Sequence, residues 1–171
     1  MGVIYTIGYE GADIERVVRT LKAARVARLV DVRAVATSRK KGFSKKALAA
    51  RLAAESIEYL HLIDLGDPKP GRDAARAGQH DLFRAVYAAH LGTEPAQAAL
   101  RRLKGIVRER PTCLLCFERD PRHCHRSIVA EEVAAATGVE VLDLIADDPA
   151  QHARDASSRP RLRAREGAAT A

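Results

Sequence analysis

Between Thr112 and Val133 the chain reads T-C-L-L-C-F-E-R-D-P-R-H-C-H-R-S-I-V-A-E-E-V, so Cys116, Glu118, His123, Cys124, His125 and Arg126 fall within eleven residues. Leu114 and Leu115 belong to a short apolar run of the kind a buried strand uses, and Asp120 followed by Pro121 is a helix-start signal. The reactive residue types therefore crowd one strand-to-helix joint. Glu118, at the strand end beside the helix start, is the candidate general acid or base, with His125 as a second, its ordinary pKa of about 6.5 suiting proton transfer. Cys124 is expected in the first helical turn, where the dipole and its neighbours His125 and Arg126 favour the thiolate. It is then a nucleophile, a metal ligand or a small residue packed under the loop.

Other spacings are less persuasive. Cys113 and Cys116 form a C-x-x-C, but a strand alternates its side chains, so these thiols should point to opposite faces. Cys116 to Arg122 satisfies the C-x5-R of cysteine phosphatase loops, yet the intervening F-E-R-D-P has no glycine to turn amides inward. A zinc or iron site on Cys116, His123, Cys124 and His125 meets a geometric objection, since adjacent helical residues point about 100° apart and at most two of them would share an ion. The reading assigns no metal ligands and leaves the cofactor open.

The elements that must position these groups follow from periodicity. Val3 to Ile7 reads as a first strand, and Ile14, Val17, Val18 and Leu21 recur at the spacing of one helix face. Arg28 to Val32 is a second strand. Ser44 caps the next helix, which runs to about Glu55, with Phe43 packing on Leu48 as a hydrophobic staple. Ile57 to Leu62 is a third strand, followed by a polar segment from Asp64 to His80 that is too long for a simple connection and reads as a substrate lid or a surface excursion. Leu82, Phe83, Val86 and Leu91 mark a helix ended by Gly92, and Thr93 starts another through Leu100, Leu103 and Val107. Thr112 to Phe117 is the fourth strand, its following helix runs from Asp120 to Thr137, and Val139 to Leu144 is the fifth.

Strands alternating with helices predict an α/β fold, a single domain with a mostly parallel sheet of about five strands flanked by helices on both faces. The domain spans residues 1–146, and residues 147–171, rich in Ala, Arg, Ser and Pro, read as a basic, disordered tail. In such a sheet ligands bind beyond the carboxyl ends of the strands. Gly8 to Gly11, Asp31 to Arg33, His61 with Asp64, and Cys116 to Glu118 all fall on that rim. Gly8 and Gly11 bracket a turn where backbone amides can approach a ligand. Arg33 and Arg39, with Lys40, Lys41 and Lys45 nearby, suit a phosphate or carboxylate, although an Asp31 to Arg33 ion pair is the plainer alternative.

The chain has 171 residues with 29 Lys and Arg against 22 Asp and Glu, a net charge of +7. Five arginines and two acids lie from Pro149 onward, so the tail holds +3 of this and the body is only mildly basic. The charge favours anionic partners without specifying one. Three cysteines, an odd number, and no apolar leader at Met1 read as a reduced, cytoplasmic protein, and no apolar run is long enough to span a membrane.

The motifs T-I-G-Y-E-G, D-V-R-A-V-A-T-S-R, G-F-S-K, E-Y-L-H-L-I-D-L-G and C-F-E-R-D-P-R-H-C-H-R, in that order over about Val3 to Leu144, resemble the series of the family known as domain of unknown function 488. The resemblance implies a bacterial or archaeal α/β domain and no established reaction. It implies shared polar positions at Gly8, Asp31, Arg33, Ser38, Arg39, Cys116, Glu118, Cys124, His125 and Arg126. Ala36 stands where the family pattern more often has proline, which would loosen the loop before Ser38.

The combined expectation is an enzyme working by acid/base chemistry at the rim on a phosphate-bearing or otherwise anionic substrate, a nucleotide or nucleic-acid end. Glu118, His125, Cys124 and Asp31 are its candidate catalytic residues, and Gly8, Arg33, Ser38, Arg39, Cys116 and Arg126 its candidate substrate contacts. Two alternatives stand beside it: a non-catalytic nucleic-acid or nucleotide-binding module, and a metal- or thiol-dependent site on Cys116, Cys124 and His125. The sequence leaves the oligomeric state open.

Overall fold

A computed structural model describes residues 2–146 and 162–164. The chain alternates strand and helix as the periodicity predicts. β1 (Val3–Gly8) leads to α1 (Ile14–Ala23), β2 (Arg28–Asp31) to α2 (Lys45–Ala53), and β3 (Glu58–His61) to α3 (Lys69–Arg76), α4 (His80–Leu91) and α5 (Glu94–Glu109). β4 (Thr112–Cys116) is followed by α6 (His125–Thr137) and β5 (Glu140–Ile145), and β6 (Leu162–Ala164) closes the described chain.

The strands lie in the order β3-β2-β4-β1-β5-β6. The first five are parallel, and β6 pairs antiparallel with β5. The sheet is covered on both faces, so β4 is buried at every residue and its side chains divide by parity. Cys113 and Leu115 pack with Val17, Leu21, Leu48 and Leu52 of α1 and α2. Leu114 and Cys116 pack with Tyr87, Leu100, Leu103, Val129 and Val133 of α4, α5 and α6. The two thiols of the C-x-x-C therefore do face opposite ways. Each fully buried leucine removes enough apolar surface from water to stabilise the fold by about 2 kcal/mol, and a charge at Leu114 or Leu115 would forfeit that and leave an unpaired ion in the sheet.

β1 and β4 are neighbours, yet the chain leaves β1 for α1 on one face and leaves β4 for α6 on the other. Such a reversal opens a crevice at the carboxyl ends of the two strands. Gly8 ends one and Cys116 the other, in register.

Three local expectations are corrected. The helix predicted to run from Asp120 is broken: Asp120 caps only a single 3-10 turn, Pro121–His123, by accepting from the Arg122 amide, and Cys124 is extended (φ −134°, ψ 139°) before α6 begins at His125. The polar segment after β3 holds a 3-10 turn, Ile63–Leu65, and the two-turn helix α3, because Pro70 sits in the first turn, where its missing amide costs nothing. Ser44 precedes α2 without capping it, its hydroxyl donating instead to the Ser38 carbonyl. The expectation of a disordered tail concerns residues that, apart from β6, lie outside those described.

Candidate thiol and metal centre

Because Cys124 is extended rather than helical, its side chain and that of His125 converge instead of splaying apart. With Cys116 at the end of β4 they bring two Sγ atoms and one imidazole nitrogen within 4.8 Å of one another, all three residues buried. The expectation that at most two of these groups could share an ion fails for this reason. His125 Nδ1 lies 3.8 Å from Cys116 Sγ and 4.0 Å from Cys124 Sγ. Its Nε2 is 2.7 Å from the carbonyl oxygen of Val32, just past β2. A carbonyl only accepts, so Nε2 carries the proton and donates it, leaving Nδ1 to face the sulfurs.

Around this trio stand two carboxyls and a guanidinium. Glu118 Oε2 lies 3.3 Å from Cys116 Sγ, and Glu118 is only partly buried, so it links the cluster to the rim. Arg126 is fully buried and bonded throughout: its Nε donates to Thr6 Oγ1, and its terminal nitrogens donate to the carbonyls of Glu118 and Arg119. Thr6 in turn donates to Asp143. Arg126 thus fixes the 116–119 segment from below. The second carboxyl is Asp67, which sequence reading missed. It is 5% exposed, and its Oδ1 has no hydrogen-bond partner. Tyr87, also buried, donates to the Leu65 carbonyl and lays its ring 5.2 Å from that of His125.

The electrostatics follow from crowding. Burial would raise the Cys124 thiol, but a hydrogen bond from Cys116 and the charges of Arg126 and His125 outweigh it and hold Cys124 well below the ordinary thiol range. Cys116 moves up, because it donates that bond and is itself buried. Burial likewise opposes a charged His125, yet the neighbouring Cys124 thiolate raises it to about 9. Burial, reinforced by Cys124, raises Glu118 to about 7. Burial raises Asp67 to about 6 against the pull of His125 and Arg72.

The remaining expected site residues divide clearly. Asp31 and Arg33 are buried and bound to each other, with Arg33 Nε and Nη2 on the two carboxylate oxygens at 2.9 and 2.6 Å, Tyr59 donating to Asp31 and Arg33 donating to Tyr9. This ion pair shapes the rim and leaves Asp31 no oxygen for catalysis. Arg33, Arg39 and Arg126 are not brought together as an anion clamp, since two are consumed internally and Arg39 is exposed on the loop after β2. Ser38 organises that loop by accepting from the Lys40 amide. Gly8 is required for a different reason from the one expected: a Cβ there would lie 1.8 Å from the Glu118 carbonyl oxygen, so its bareness admits the chain rather than a ligand. Arg122 is exposed and paired with Asp120, away from Cys116, and His123 stacks on His80 at the surface. Asp67 carried no signal in the sequence, because Asp followed by proline reads as loop and its neighbours Cys124 and His125 lie far along the chain.

No helix among the described residues is long and apolar enough to cross a membrane. A family model described as Domain of unknown function DUF488 matches residues 13–133, from the cap of α1 into α6, which includes the whole cluster from Cys116 to Arg126. No curated protein and no solved structure matches the chain.

Proposed function

Since the chain belongs to the DUF488 family, a membership that brings no reaction with it, we propose from the site itself that it is a metal-dependent enzyme. In this reading Cys116, Cys124 and His125 hold a zinc-class divalent ion, and the rim presents an anionic substrate to it. The observation that carries the reading is the pair of sulfur to nitrogen separations. At 3.8 and 4.0 Å they are long for hydrogen bonds to sulfur. Ligand bonds of about 2.3 Å to sulfur and about 2.0 Å to nitrogen at tetrahedral angles give a sulfur–nitrogen edge of about 3.5 Å and a sulfur–sulfur edge of about 3.8 Å, so each sulfur–nitrogen pair closes on an ion by a few tenths of an ångström and the two sulfurs, within 4.8 Å of each other, by at most about 1 Å.

The surroundings support it. The Nε2 to Val32 bond is the outer interaction that metal-bound histidines use to fix their ring. Two thiolates neutralise a dication, and Arg126 beside them favours the deprotonated sulfurs that binding requires. Three protein ligands leave a fourth position, the pattern of a catalytic rather than a structural site. An ion there acts as a Lewis acid toward a phosphoryl or carbonyl oxygen, and Glu118, on the rim side of Cys116, is the carboxyl placed to accept or return a proton.

Elemental analysis of freshly purified protein tests this. The expectation is about one zinc-class ion per chain, abolished in Cys124→Ser and Cys116→Ser and retained in His123→Ala, which removes the surface imidazole pair. Metal-free protein that also fails to take up added zinc would overturn the reading. Rapid alkylation of Cys124 in that protein would then favour a thiol nucleophile at the same place.

A further inference from the structure

The loop between β2 and α2, with the first two residues of α2, carries positive charge that the fold does not need. Arg39, Lys40, Lys41, Lys45 and Lys46 place five cations in eight residues without one carboxylate. Lys40 is used internally, its Nζ donating to the Tyr9 carbonyl at 3.2 Å. The other four are exposed, and none has an ion pair among the described residues. Lys45 and Lys46 are the first two residues of α2, which has no acid in its first turn. Cations at a helix amino terminus oppose its dipole, so helix stability does not explain them. A local rule broken in this way points to a binding surface.

The loop is also built to keep its shape. The Lys45 amide donates to the Ala36 carbonyl at 2.8 Å, Ser38 and Ser44 bond to each other, and Phe43 is fully buried, stacked on Tyr9 with ring centroids 4.2 Å apart. Gly42 has φ +90° and packs so closely on Ile14 that a Cβ would come within 2.9 Å. Through Tyr9 the loop is joined to the site: the Phe117 ring stands edge-on to Tyr9 at 5.3 Å and is 45% exposed, between buried Cys116 and half-buried Glu118. The cationic segment is therefore tied, through Phe43 and Tyr9, to a half-exposed aromatic ring that is next in the chain to Cys116.

We infer that this edge is a binding site for single-stranded nucleic acid, with phosphates along Arg39, Lys41, Lys45 and Lys46 and a base stacked on Phe117. Charge alone would take any polyanion. The exposed ring selects a strand with unpaired bases, because stacking needs a free π face, which a duplex withholds. The inference supplies the substrate class for the enzyme proposed above and rests on that reading, since it delivers a phosphodiester or strand end to Glu118.

Fluorescence anisotropy with labelled single-stranded DNA and RNA, and the matching duplex, tests it at two salt concentrations. Three or four phosphate contacts predict affinity falling roughly 20- to 50-fold for a fourfold rise in salt. The triple variant Lys41→Ala, Lys45→Ala, Lys46→Ala should lower affinity at least tenfold and reduce the salt slope by about two. Phe117→Ala should weaken single-strand binding by roughly fivefold or more and leave the salt slope unchanged. All the substituted side chains are exposed, so circular dichroism and metal content should match the wild type. Absence of single-strand binding at low salt would overturn the inference. So would equal binding of the duplex with no response to Phe117→Ala, or preference for anionic lipid vesicles, each of which would reduce the loop to a generic cationic surface. Metal content in the same preparations separates failure of this inference from failure of the metal reading.

Discussion

A carboxylate oxygen buried without a donor carries a cost at neutral pH, and Asp67 Oδ1 is such an atom. The carboxyl's folded-state value of about 6 stands above the ordinary 3.8. The folded protein therefore binds that proton more tightly than the unfolded chain does. Below about pH 4 the group costs little; the cost grows as pH rises through about 6 and is constant above. A gap of two units corresponds to about 3 kcal/mol. In metal-free protein, Asp67→Asn should gain about 2 to 3 kcal/mol on the wild type between pH 4 and pH 8 in denaturant unfolding. A difference between the two proteins that does not change with pH would show that Asp67 finds a donor in solution. The contrast with Asp120 is instructive: its Arg122 partner holds it well below the usual carboxylate range, but it sits at the surface, where such pairs contribute little. Asp67, whose burial outweighs the pull of His125 and Arg72, sits close to the thiols as a carboxyl with a raised pKa, which fits a functional group.

At the scale of elements, the site depends on how the segment after β4 crosses the end of β1. The Tyr9 and Glu10 amides donate to the carbonyls of Cys116 and Phe117, drawing the two strand ends together until Gly8 lies under Glu118. Gly8→Ala puts a methyl 1.8 Å from a backbone oxygen that Arg126 also holds, so neither side can yield cheaply. The expected loss is about 3 kcal/mol or more in urea unfolding, with zinc stoichiometry reduced; a variant within about 1 kcal/mol of wild type would show the crossing to be slack. The strands and most helices were legible because each obeys one period, and α6 ends at Thr137 as expected, with Gly138 left-handed at φ 73° just beyond it. The break at Cys124 was not legible. Asp120 and Pro121 are a sound helix start in local terms, and what overrides them is tertiary: Arg126 and Ser127 reach back to the carbonyls of Glu118, Arg119 and Pro121, and tightening the chain there forces Cys124 out of the helix. α3 was hidden for the opposite reason, its proline and glycine imitating a loop. The rim was visible as a set of residues, but pattern alone could not tell Arg33, consumed by Asp31, from Arg39, which is free of it.

For the molecule as a whole, the placement of the three ligands predicts that metal and fold are linked. Cys116 closes β4, which lies between β2 and β1 in the middle of the sheet, while Cys124 immediately precedes α6 and His125 begins it on one face of the sheet. The ring of His125 extends the connection to Val32 beyond β2. An ion on these ligands would join elements that come apart only in global unfolding, so its binding free energy should appear as stability of the entire domain. At a free metal concentration a thousand times the dissociation constant, the gain is about 4 kcal/mol. For a domain of this size each kcal/mol moves the midpoint by roughly 2 to 4 °C. Chelation should therefore lower the melting temperature by about 10 °C, one equivalent of zinc should restore it, and Cys124→Ser should respond to neither. A metal-replete protein whose melting is indifferent to the chelator would place the ion outside this junction. The core argues against total collapse on metal loss, because both faces of the sheet are packed with fully buried aliphatic side chains that owe nothing to the cluster. The chelated protein should stay folded and cooperative at room temperature, with hydrogen exchange of the slowest core amides of the whole sheet accelerated together.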